Sequence, residues 1–290
     1  MNMTSPIRTV YVNGQYCPES EATVSIFDRG YLFADAIYEV TCVLGGKLVD
    51  FDGHMARLQR SLGELDMGMP LTVEELLAIH RKLVAANNVV EGLIYMQISR
   101  GVADRDFNFP PEDTRPVVVM FTQSRPVIES PLAKRGLKVI SLPDIRWGRR
   151  DIKTVQLLYP SIAKNAAYKA GADDAWLVQD GYVTEASSAN AYIVTSDGKI
   201  VTRKLSFDIL HGITRAAVFT LAAESGYILE ERSFTLQEAF DAREAFITSA
   251  TSFVTSVVEI DGVAIGDGTI GPVSKRLREI YIERATAAAS

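Results

Sequence analysis

The stretch that decides the fold runs from Arg150 to Asn190 and reads RDIKTVQLLYPSIAKNAAYKAGADDAWLVQDGYVTEASSAN. Lys153 lies near its start, and Glu185 lies near its end, followed by small and hydroxyl residues. Between them, Ser161 as N-cap, an alanine-rich segment and Gly171 as stop predict a helix. The stretch thus places an amine and a carboxylate on either side of one helix.

The residues after this helix predict a β-hairpin. Residues 175–179 (AWLVQ) and 182–185 (YVTE) have the composition of strands, and Asp180-Gly181 is typical of a two-residue turn. Glu185 is therefore expected at the end of the returning strand.

Lys153 is a candidate carbonyl-binding residue. A lysine amine attacks a carbonyl only when neutral, and its ordinary pKa of about 10.4 makes that form rare at neutral pH. Apolar neighbours and the nearby Arg146, Arg149 and Arg150 are expected to lower the pKa of Lys153. Such a lysine can hold an aldehyde cofactor as a Schiff base, and Glu185 could keep the ring nitrogen of pyridoxal phosphate protonated. Taken singly, the two residues also fit a solvated lysine and a surface glutamate at a hairpin end.

Two motifs in this stretch resemble those of a known family. DIK followed by LL, and VTE-x-SS-x-N at residues 183–190, resemble the class IV aminotransferases, the fold type IV pyridoxal-phosphate enzymes. DRGYLFADAIYEV at residues 28–40 resembles the second-strand signature of that family. The resemblance covers nearly the whole chain, and within the family the chain is most similar to D-amino-acid transaminases.

The resemblance implies an α/β (α+β) fold of two domains with pyridoxal 5'-phosphate in the cleft between them. The N-terminal α/β domain is expected to be the smaller, and the C-terminal domain to be a strand-rich pseudo-barrel with helices. The family is homodimeric, and its carboxylate-binding loop comes from the neighbouring subunit near the interface. A homodimer is therefore expected here as well.

Composition narrows the class of protein. The 290 residues are 47% hydrophobic and 23% charged, with a formal net charge of −6, which is typical of a soluble globular protein and argues against a nucleic-acid partner. The N-terminal segment MNMTSPIRTVYVNGQ has no apolar signal-peptide core, and no run is long enough to span a bilayer. Two cysteines without a C-x-x-C spacing favour reduced thiols and a cytoplasmic location.

Length favours two domains, because 290 residues approach the limit for one hydrophobic core. Residues 1–122 are the predicted N-terminal domain, and residues 135–290 the predicted cofactor-binding domain. Residues 123–134 contain two prolines without hydrophobic periodicity and are the predicted linker. Local signals predict hairpin turns at Asn13-Gly14 and Gly45-Gly46, capping boxes at Thr72/Glu75 and Thr235/Glu238, and a terminal helix at residues 272–288.

Three residues of the N-terminal domain match family site positions. Tyr38 matches a substrate-facing tyrosine, and Arg57, on the polar side of a predicted helix, matches the arginine that binds the cofactor phosphate. Arg105 matches the arginine that binds the substrate carboxylate in D-amino-acid transaminases. The usual histidine two positions on is Phe107, which cannot donate a hydrogen bond. Alternatively, Tyr38 is a half-buried strand aromatic, and Arg57 and Arg105 are solvated.

The C-terminal domain holds the remaining candidates. HGIT at residues 211–214 opens a predicted helix that ends at Gly226, and free N–H groups with a threonine hydroxyl there suit a phosphate. By resemblance, Ile213 and Thr214 contact the phosphate and Leu210 lies under the cofactor ring, although an ordinary helix start fits as well. Thr251 is a further candidate phosphate contact. The three histidines have no metal-ligand spacing, so no metal is expected.

The predicted function is transfer of an amino group from a D-amino acid, of the D-alanine or D-glutamate type, to a 2-oxo acid through a Lys153 Schiff base. Alternatives within the class are an (R)-selective amine transaminase, a branched-chain aminotransferase and an aminodeoxychorismate lyase. A catalytically silent pyridoxal-phosphate-binding protein is the remote alternative.

Overall fold

The computed structural model describes residues 7–289, and the contacts divide the chain into two compact units. Unit 1 contains the described residues within Met1–Pro126, Ile152–Gln156 and Ala288–Ser290, and unit 2 contains Val127–Asp151 and Leu157–Ala287. Residues 1–6, part of the segment searched for a signal peptide, lie outside the described residues. Each unit combines a sheet with helices, which confirms the predicted mixed α/β fold.

Unit 1 is built on a six-stranded antiparallel sheet with the order β2-β1-β6-β5-β3-β4. Its elements are β1 (Thr9–Val12), β2 (Gln15–Pro18), α1 (Arg29–Phe33), β3 (Ala36–Leu44), β4 (Lys47–Leu48), α2 (Phe51–Gly63), α3 (Val73–Ala86), β5 (Glu91–Ser99) and β6 (Val117–Ser124). Both predicted hairpin turns are confirmed. Asn13 and Gly14 have φ of 47° and 92°, and Gly45 and Gly46 have φ of 57° and 76°, as primed turns require.

The two faces of this sheet differ. Strand alternation buries one face, which includes Glu39, Ile94 and Met120, and leaves the side chains of Tyr38 and Tyr95 on the other face half-buried. On the buried side α2 packs against β3, and α3 begins with the predicted capping box of Thr72 and Glu75.

Unit 2 is built on a nine-stranded mixed sheet. Its elements are α4 (Pro131–Arg135), β7 (Leu137–Pro143), α5 (Leu158–Lys169), β8 (Asp174–Gln179), β9 (Tyr182–Ala186), β10 (Asn190–Val194), β11 (Ile200–Thr202), α6 (Ile213–Glu224), β12 (Leu229–Glu231), α7 (Leu236–Phe240), β13 (Glu244–Ser249), β14 (Phe253–Ile260), β15 (Val263–Ala264) and α8 (Pro272–Ala288). The strand order is β12-β11-β10-β13-β14-β7-β8-β9, with β15 beside β14. Three neighbouring pairs are parallel: β11 with β12, β14 with β7, and β7 with β8.

The core of unit 2 contains Trp176 and Phe234, whose rings meet edge to face with centroids 5.9 Å apart. The predicted terminal helix, the capping box of Thr235 and Glu238, and the hairpin at Asp180-Gly181 are all confirmed. The prediction that Ser161 is an N-cap is wrong.

Helix α5 begins at Leu158, so that Ser161 lies in its first turn. Pro160 is the third residue of the helix and is tolerated there because first-turn N–H groups have no partner within a helix. Among residues 7–289, no helix is both long and apolar enough to cross a membrane.

Candidate active site

Lys153 belongs to unit 1, where its segment runs beside the start of β3. The amide of Tyr38 donates to the carbonyl of Lys153 at 3.0 Å, and the amide of Val155 donates to the carbonyl of Ala36 at 3.1 Å. The half-buried Lys153 places its Nζ 4.2 Å from the centre of the Tyr38 ring. The backbone pairing therefore fixes an amine over an aromatic face of the sheet.

The three arginines expected to act on Lys153 belong to unit 2, and each pairs with a carboxylate there. Arg146 contacts Asp144 at 2.7 Å, Arg149 contacts Asp151 at 3.0 Å, and Arg150 lies 3.5 Å from Asp144. The structure thus pairs each of these arginines with a carboxylate of its own unit.

Tyr38 is half-buried and continues a stack of aromatic rings across the sheet. Its ring stacks on Tyr95 with centroids 5.6 Å apart, and Tyr95 stacks on Phe121 at 4.9 Å. The hydroxyl of Tyr95 donates to Gln97 at 2.8 Å. The half-buried face of the sheet thus presents aromatic rings and a phenol next to the Lys153 amine.

Arg57 lies in the buried part of α2, so the prediction that it occupies the polar side of the helix is wrong. The reason is Glu39 on β3, which accepts from Arg57 Nε at 2.8 Å and from Arg57 Nη2 at 2.7 Å. His54 Nδ1 lies 2.7 Å from the same carboxylate. Burial alone would raise the pKa of Glu39, but the charge and hydrogen bonds of Arg57, with those of His54, hold that pKa well below its usual range.

Arg105 is exposed on the loop between β5 and β6 and contacts aromatic rings. Its guanidinium carbon lies 5.5 Å from the centre of the Phe33 ring and 5.4 Å from that of Phe107. Phe107 occupies the place where a hydrogen-bond donor was expected, and it offers Arg105 a ring face.

The Arg105 loop is held by two arginines that share one carboxylate. Arg29 Nε and Arg100 Nε each donate to Asp35 Oδ2 at 2.8 Å. Arg29 Nη1 also donates to the carbonyls of Asp106 at 2.8 Å and Asn108 at 3.3 Å. The buried Arg29 therefore fastens the residues on both sides of Phe107 to the body of unit 1.

Glu185 is buried in unit 2 at the end region of β9, as the hairpin pattern predicted. Its Oε1 accepts from Arg146 Nη1 at 2.5 Å, and its Oε2 accepts from the amide of Leu210 at 3.1 Å and from Asn190 Nδ2 at 3.1 Å. Burial raises the pKa of Glu185, while the charge and hydrogen bond of Arg146 and the Leu210 amide oppose that rise. The net result is a pKa of Glu185 above its ordinary value, because the effect of burial exceeds that of the contacts.

The start of α6 lies beside this carboxylate. Asn190 Nδ2 also donates to the carbonyl of Leu210 at 2.9 Å, and a Cβ at Gly212 would come within 2.2 Å of Asn190 Oδ1. Only glycine allows the chain to enter α6 this close to Asn190. Ile213 and the buried Thr214 are the first two residues of the helix, and within the described chain no side-chain hydrogen bond caps it.

Thr251 lies in the turn between β13 and β14. Thr248 near the end of β13 pairs with Asn190 at the start of β10, so the turn follows at the same end of the sheet as Asn190. Unit 2 therefore brings together five of its predicted site residues: Glu185, Leu210, Ile213, Thr214 and Thr251. Unit 1 holds the other four: Tyr38, Arg57, Arg105 and Lys153.

Sequence reasoning missed the residues that hold these groups in place. Glu39 follows Tyr38 on the opposite face of β3, and strand alternation could have marked it as a buried acid. Asn190 closes the SSAN segment, but nothing in the sequence indicates its two contacts. Among residues 7–289, no three His, Cys, Asp or Glu side chains are grouped as metal ligands.

Comparison with known proteins gives consistent results. The family model described as amino-transferase class IV matches residues 36–260. The chain is 38% identical to a D-alanine aminotransferase of Staphylococcus haemolyticus over 93% of this chain and 95% of the relative. It is 37% identical to a D-alanine aminotransferase of Listeria monocytogenes over 96% of each chain.

Among solved structures, the chain is similar to a branched-chain amino acid aminotransferase from T.th. that contains pyridoxamine 5'-phosphate. The TM-score is 0.88 and the sequence identity is 28%. That match covers 97% of this chain and 95% of the other.

Proposed function

This chain belongs to the class IV aminotransferases, which are pyridoxal-phosphate enzymes, and on that premise we propose that it transfers the amino group of a D-amino acid to a 2-oxo acid. D-alanine and D-glutamate are the proposed donors. The observation that carries the proposal is the 38% identity to a D-alanine aminotransferase across 93% of the chain.

Each unit by itself carries residues whose chemistry suits pyridoxal 5'-phosphate. The α6 start, kept close to Asn190 by Gly212, presents first-turn N–H groups, which are a ready anion site. Thr214 in that turn and Thr251 in the β13–β14 turn would add hydroxyl contacts to the phosphate. In unit 1, Arg57 would bind the phosphate as well, because a guanidinium carries five N–H donors and can contact a phosphate in addition to Glu39.

Bound pyridoxal phosphate supplies an electron sink for the charge that develops at the substrate Cα when its proton leaves. Glu185 would stabilise a proton at the ring nitrogen, and the charge of Arg146 beside it favours the ionised form of its carboxylate. Leu210 would pack against the ring. Lys153 would bind the cofactor through Nζ, and its amine would accept the proton that leaves the donor's Cα and later return a proton to the Cα of the product amino acid.

Tyr38 and Arg105 would orient the substrate. The Tyr38 ring lies 4.2 Å from the Lys153 amine, so Tyr38 would face the substrate close to the reacting group. Arg105 would bind the substrate carboxylate through its planar fork of donors. Phe107 contributes no hydrogen bond, so Arg105 would hold the carboxylate with one donor fewer than the family pattern provides.

This difference supports a second candidate, an amine transaminase. A primary amine has no carboxylate, so a weaker carboxylate site does not lower its affinity. The same weakening does lower the affinity for an amino acid, and the difference between the two donors becomes smaller. The Phe33 and Phe107 rings beside Arg105 offer apolar surface that suits such a donor.

We propose in addition that the protein is a homodimer. Tyr31, Phe107, Leu158 and Tyr168 are 76%, 81%, 76% and 79% exposed, and exposed aromatic side chains are enriched at interfaces between subunits. Sedimentation should give about twice the 31.8 kDa of one chain. The proposed location is the cytoplasm, since Cys17 and Cys42 are free thiols.

The test of the proposed function combines chemistry and a donor panel. Borohydride treatment of the protein with pyridoxal phosphate should fix the cofactor on Lys153, as shown by peptide mapping. In a separate sample that has not been reduced, D-alanine and D-glutamate with a 2-oxo acid should turn over faster than L-valine or an arylalkyl amine. An adduct on Lys164 or Lys169, or faster turnover of L-valine, contradicts the proposal.

Glu185→Gln tests the same chemistry at the other end of the site. The variant should keep the cofactor, because the phosphate contacts are untouched, and lose most turnover, because an amide cannot stabilise the pyridinium charge. Activity equal to the parent would show that Glu185 has only a structural role.

A further inference from the structure

The turn between β13 and β14 ends at a residue with an unusual backbone conformation. Phe253, the first residue of β14, has φ of 55°, in the left-handed region that favours glycine. For a bulky residue this is a clear outlier, which persists only when its surroundings enforce it. The Phe253 side chain is fully buried, and its ring lies 5.0 Å from that of Tyr281 on α8.

Arg278, one turn before Tyr281 on the same face of α8, grips the backbone around Phe253. Its Nη1 donates to the carbonyl of Ser252 at 2.7 Å and to that of Val254 at 2.9 Å. These two carbonyls belong to the residues immediately before and after Phe253. The second nitrogen, Nη2, donates at 2.9 Å to the carbonyls of Val127 and Ile128.

These bonds restrict the shape of the turn. A trans peptide is planar, with its C=O and N–H pointing in opposite directions. Because the Ser252 carbonyl points toward Arg278, the N–H of Phe253 in the same peptide points away from it. The bond to the Val254 carbonyl fixes the orientation of the peptide that joins Val254 to Thr255. The Ala250–Ser252 turn is thereby fixed at its end, at the peptide that joins Ser252 to Phe253.

Helix α8 is itself held in register against the same hairpin. Glu244, the first residue of β13, accepts from the amides of Val273 at 3.0 Å and Ser274 at 2.9 Å. The Ser274 hydroxyl lies 2.8 Å from that of Ser256 on β14. The helix that carries Arg278 is thus fixed at its start, and it presents the guanidinium from a rigid position.

We propose that Arg278 is a positioning residue that holds the Ala250–Ser252 turn in the shape that receives the phosphate group of the cofactor. The inference rests on the proposed function, in which Thr251 of this turn contacts the phosphate. Arg278 acts through the backbone of Ser252 and Val254 and touches no cofactor atom itself. Tyr281 supports the same turn by packing against the Phe253 ring.

The test compares two ligands that differ only in the phosphate. The full-length protein, freed of cofactor, is titrated with pyridoxal 5'-phosphate and with pyridoxal, and binding is followed by the change in cofactor absorbance. In Arg278→Gln, affinity for pyridoxal phosphate should fall about tenfold or more, which corresponds to about 1.4 kcal/mol. Affinity for pyridoxal should change less than about twofold.

Inorganic phosphate provides a second readout. It should compete with pyridoxal phosphate in the parent and compete about tenfold less well in Arg278→Gln. The matched control is Arg276→Gln, since Arg276 lies on the exposed side of α8 and only approaches Glu279 at 3.5 Å. That variant should bind both ligands like the parent.

The outcomes separate the two hypotheses. If the parent binds neither ligand, the proposed cofactor is wrong, and the role of Arg278 falls with it. If the parent binds both and Arg278→Gln leaves their affinity ratio unchanged, Arg278 does not position the phosphate turn. If circular dichroism shows that Arg278→Gln does not fold, Arg278→Lys replaces it in the test. Lysine keeps the charge but cannot reach all four carbonyls, so the ratio of the affinities for pyridoxal phosphate and pyridoxal should fall in this variant as well.

Discussion

Replacing Arg29 by lysine should weaken substrate binding without touching the proposed reacting groups. Arg29 Nη1 donates to the carbonyls of Asp106 and Asn108, which flank Phe107 in the loop that carries Arg105. Lysine keeps the positive charge beside Asp35, but a single ammonium group cannot replace contacts that span both sides of the guanidinium. The loop then loses the two hydrogen bonds that Arg29 donates to it.

The magnitude follows from those contacts. A hydrogen bond that involves a charged group contributes about 1.5–3 kcal/mol, and about 1.4 kcal/mol is a factor of ten in binding. Losing the loop attachment should therefore raise the KM for D-alanine about ten- to a hundredfold. The kcat at saturation should stay within about threefold, because Lys153 and Glu185 are unchanged.

The assay measures kcat and KM for D-alanine and for an arylalkyl amine in the parent and in Arg29→Lys. The amine has no carboxylate for Arg105 to bind, so its KM should change little. Arg8→Lys is the control: the Arg8–Glu19 pair in the same unit is partly exposed, and such pairs contribute about 1 kcal/mol or less. Equal losses for both donors in Arg29→Lys would refute the reasoning, since Arg29 would then support the whole unit.

Three further changes have expected outcomes. Phe107→His should lower the KM for D-alanine about tenfold and leave amines unaffected, because histidine can donate to the carboxylate; equal effects on both donors would contradict this. Glu39→Gln leaves Arg57 without its buried counter-charge and should lower the free energy of unfolding at pH 7 by about 3–5 kcal/mol in denaturant titrations. Since the pKa of Glu39 is held below its usual range, its contribution is present above about pH 4.3 and lost as the pH falls, so the difference from the parent should shrink at pH 3 and not grow. Burial lowers the pKa of His80 to about 4. Between about pH 6.5 and pH 4 the His80 side chain is therefore protonated in the unfolded chain and neutral in the folded chain. The free energy of unfolding should then fall by up to about 1.4 kcal/mol per pH unit between these values, and an undiminished slope in His80→Leu would exclude His80 as the source.

Features with short-range causes could be predicted from the sequence. A primed turn at Asn13-Gly14 depends on the φ values that two residues can adopt, and the Thr72/Glu75 capping box depends on bonds within one helical turn. The helix at residues 272–288 was predicted for similar reasons. The family motifs around Lys153 and Glu185 likewise lie in one continuous stretch of sequence, which is why the enzyme class could be inferred.

Tertiary structure alone decided the surroundings of those residues. The Lys153 segment pairs with β3 of unit 1, while the neighbouring arginines pair with carboxylates of unit 2. Arg57 is buried because it pairs with Glu39, which is 18 residues away in sequence. Arg278 donates to carbonyls that are 24 to 151 residues away in sequence. Local sequence patterns determine backbone conformation through bonds between near neighbours. A buried charge or a strained residue such as Phe253 is tolerated only when distant segments supply its partners, and those partners are known only once the chain is folded.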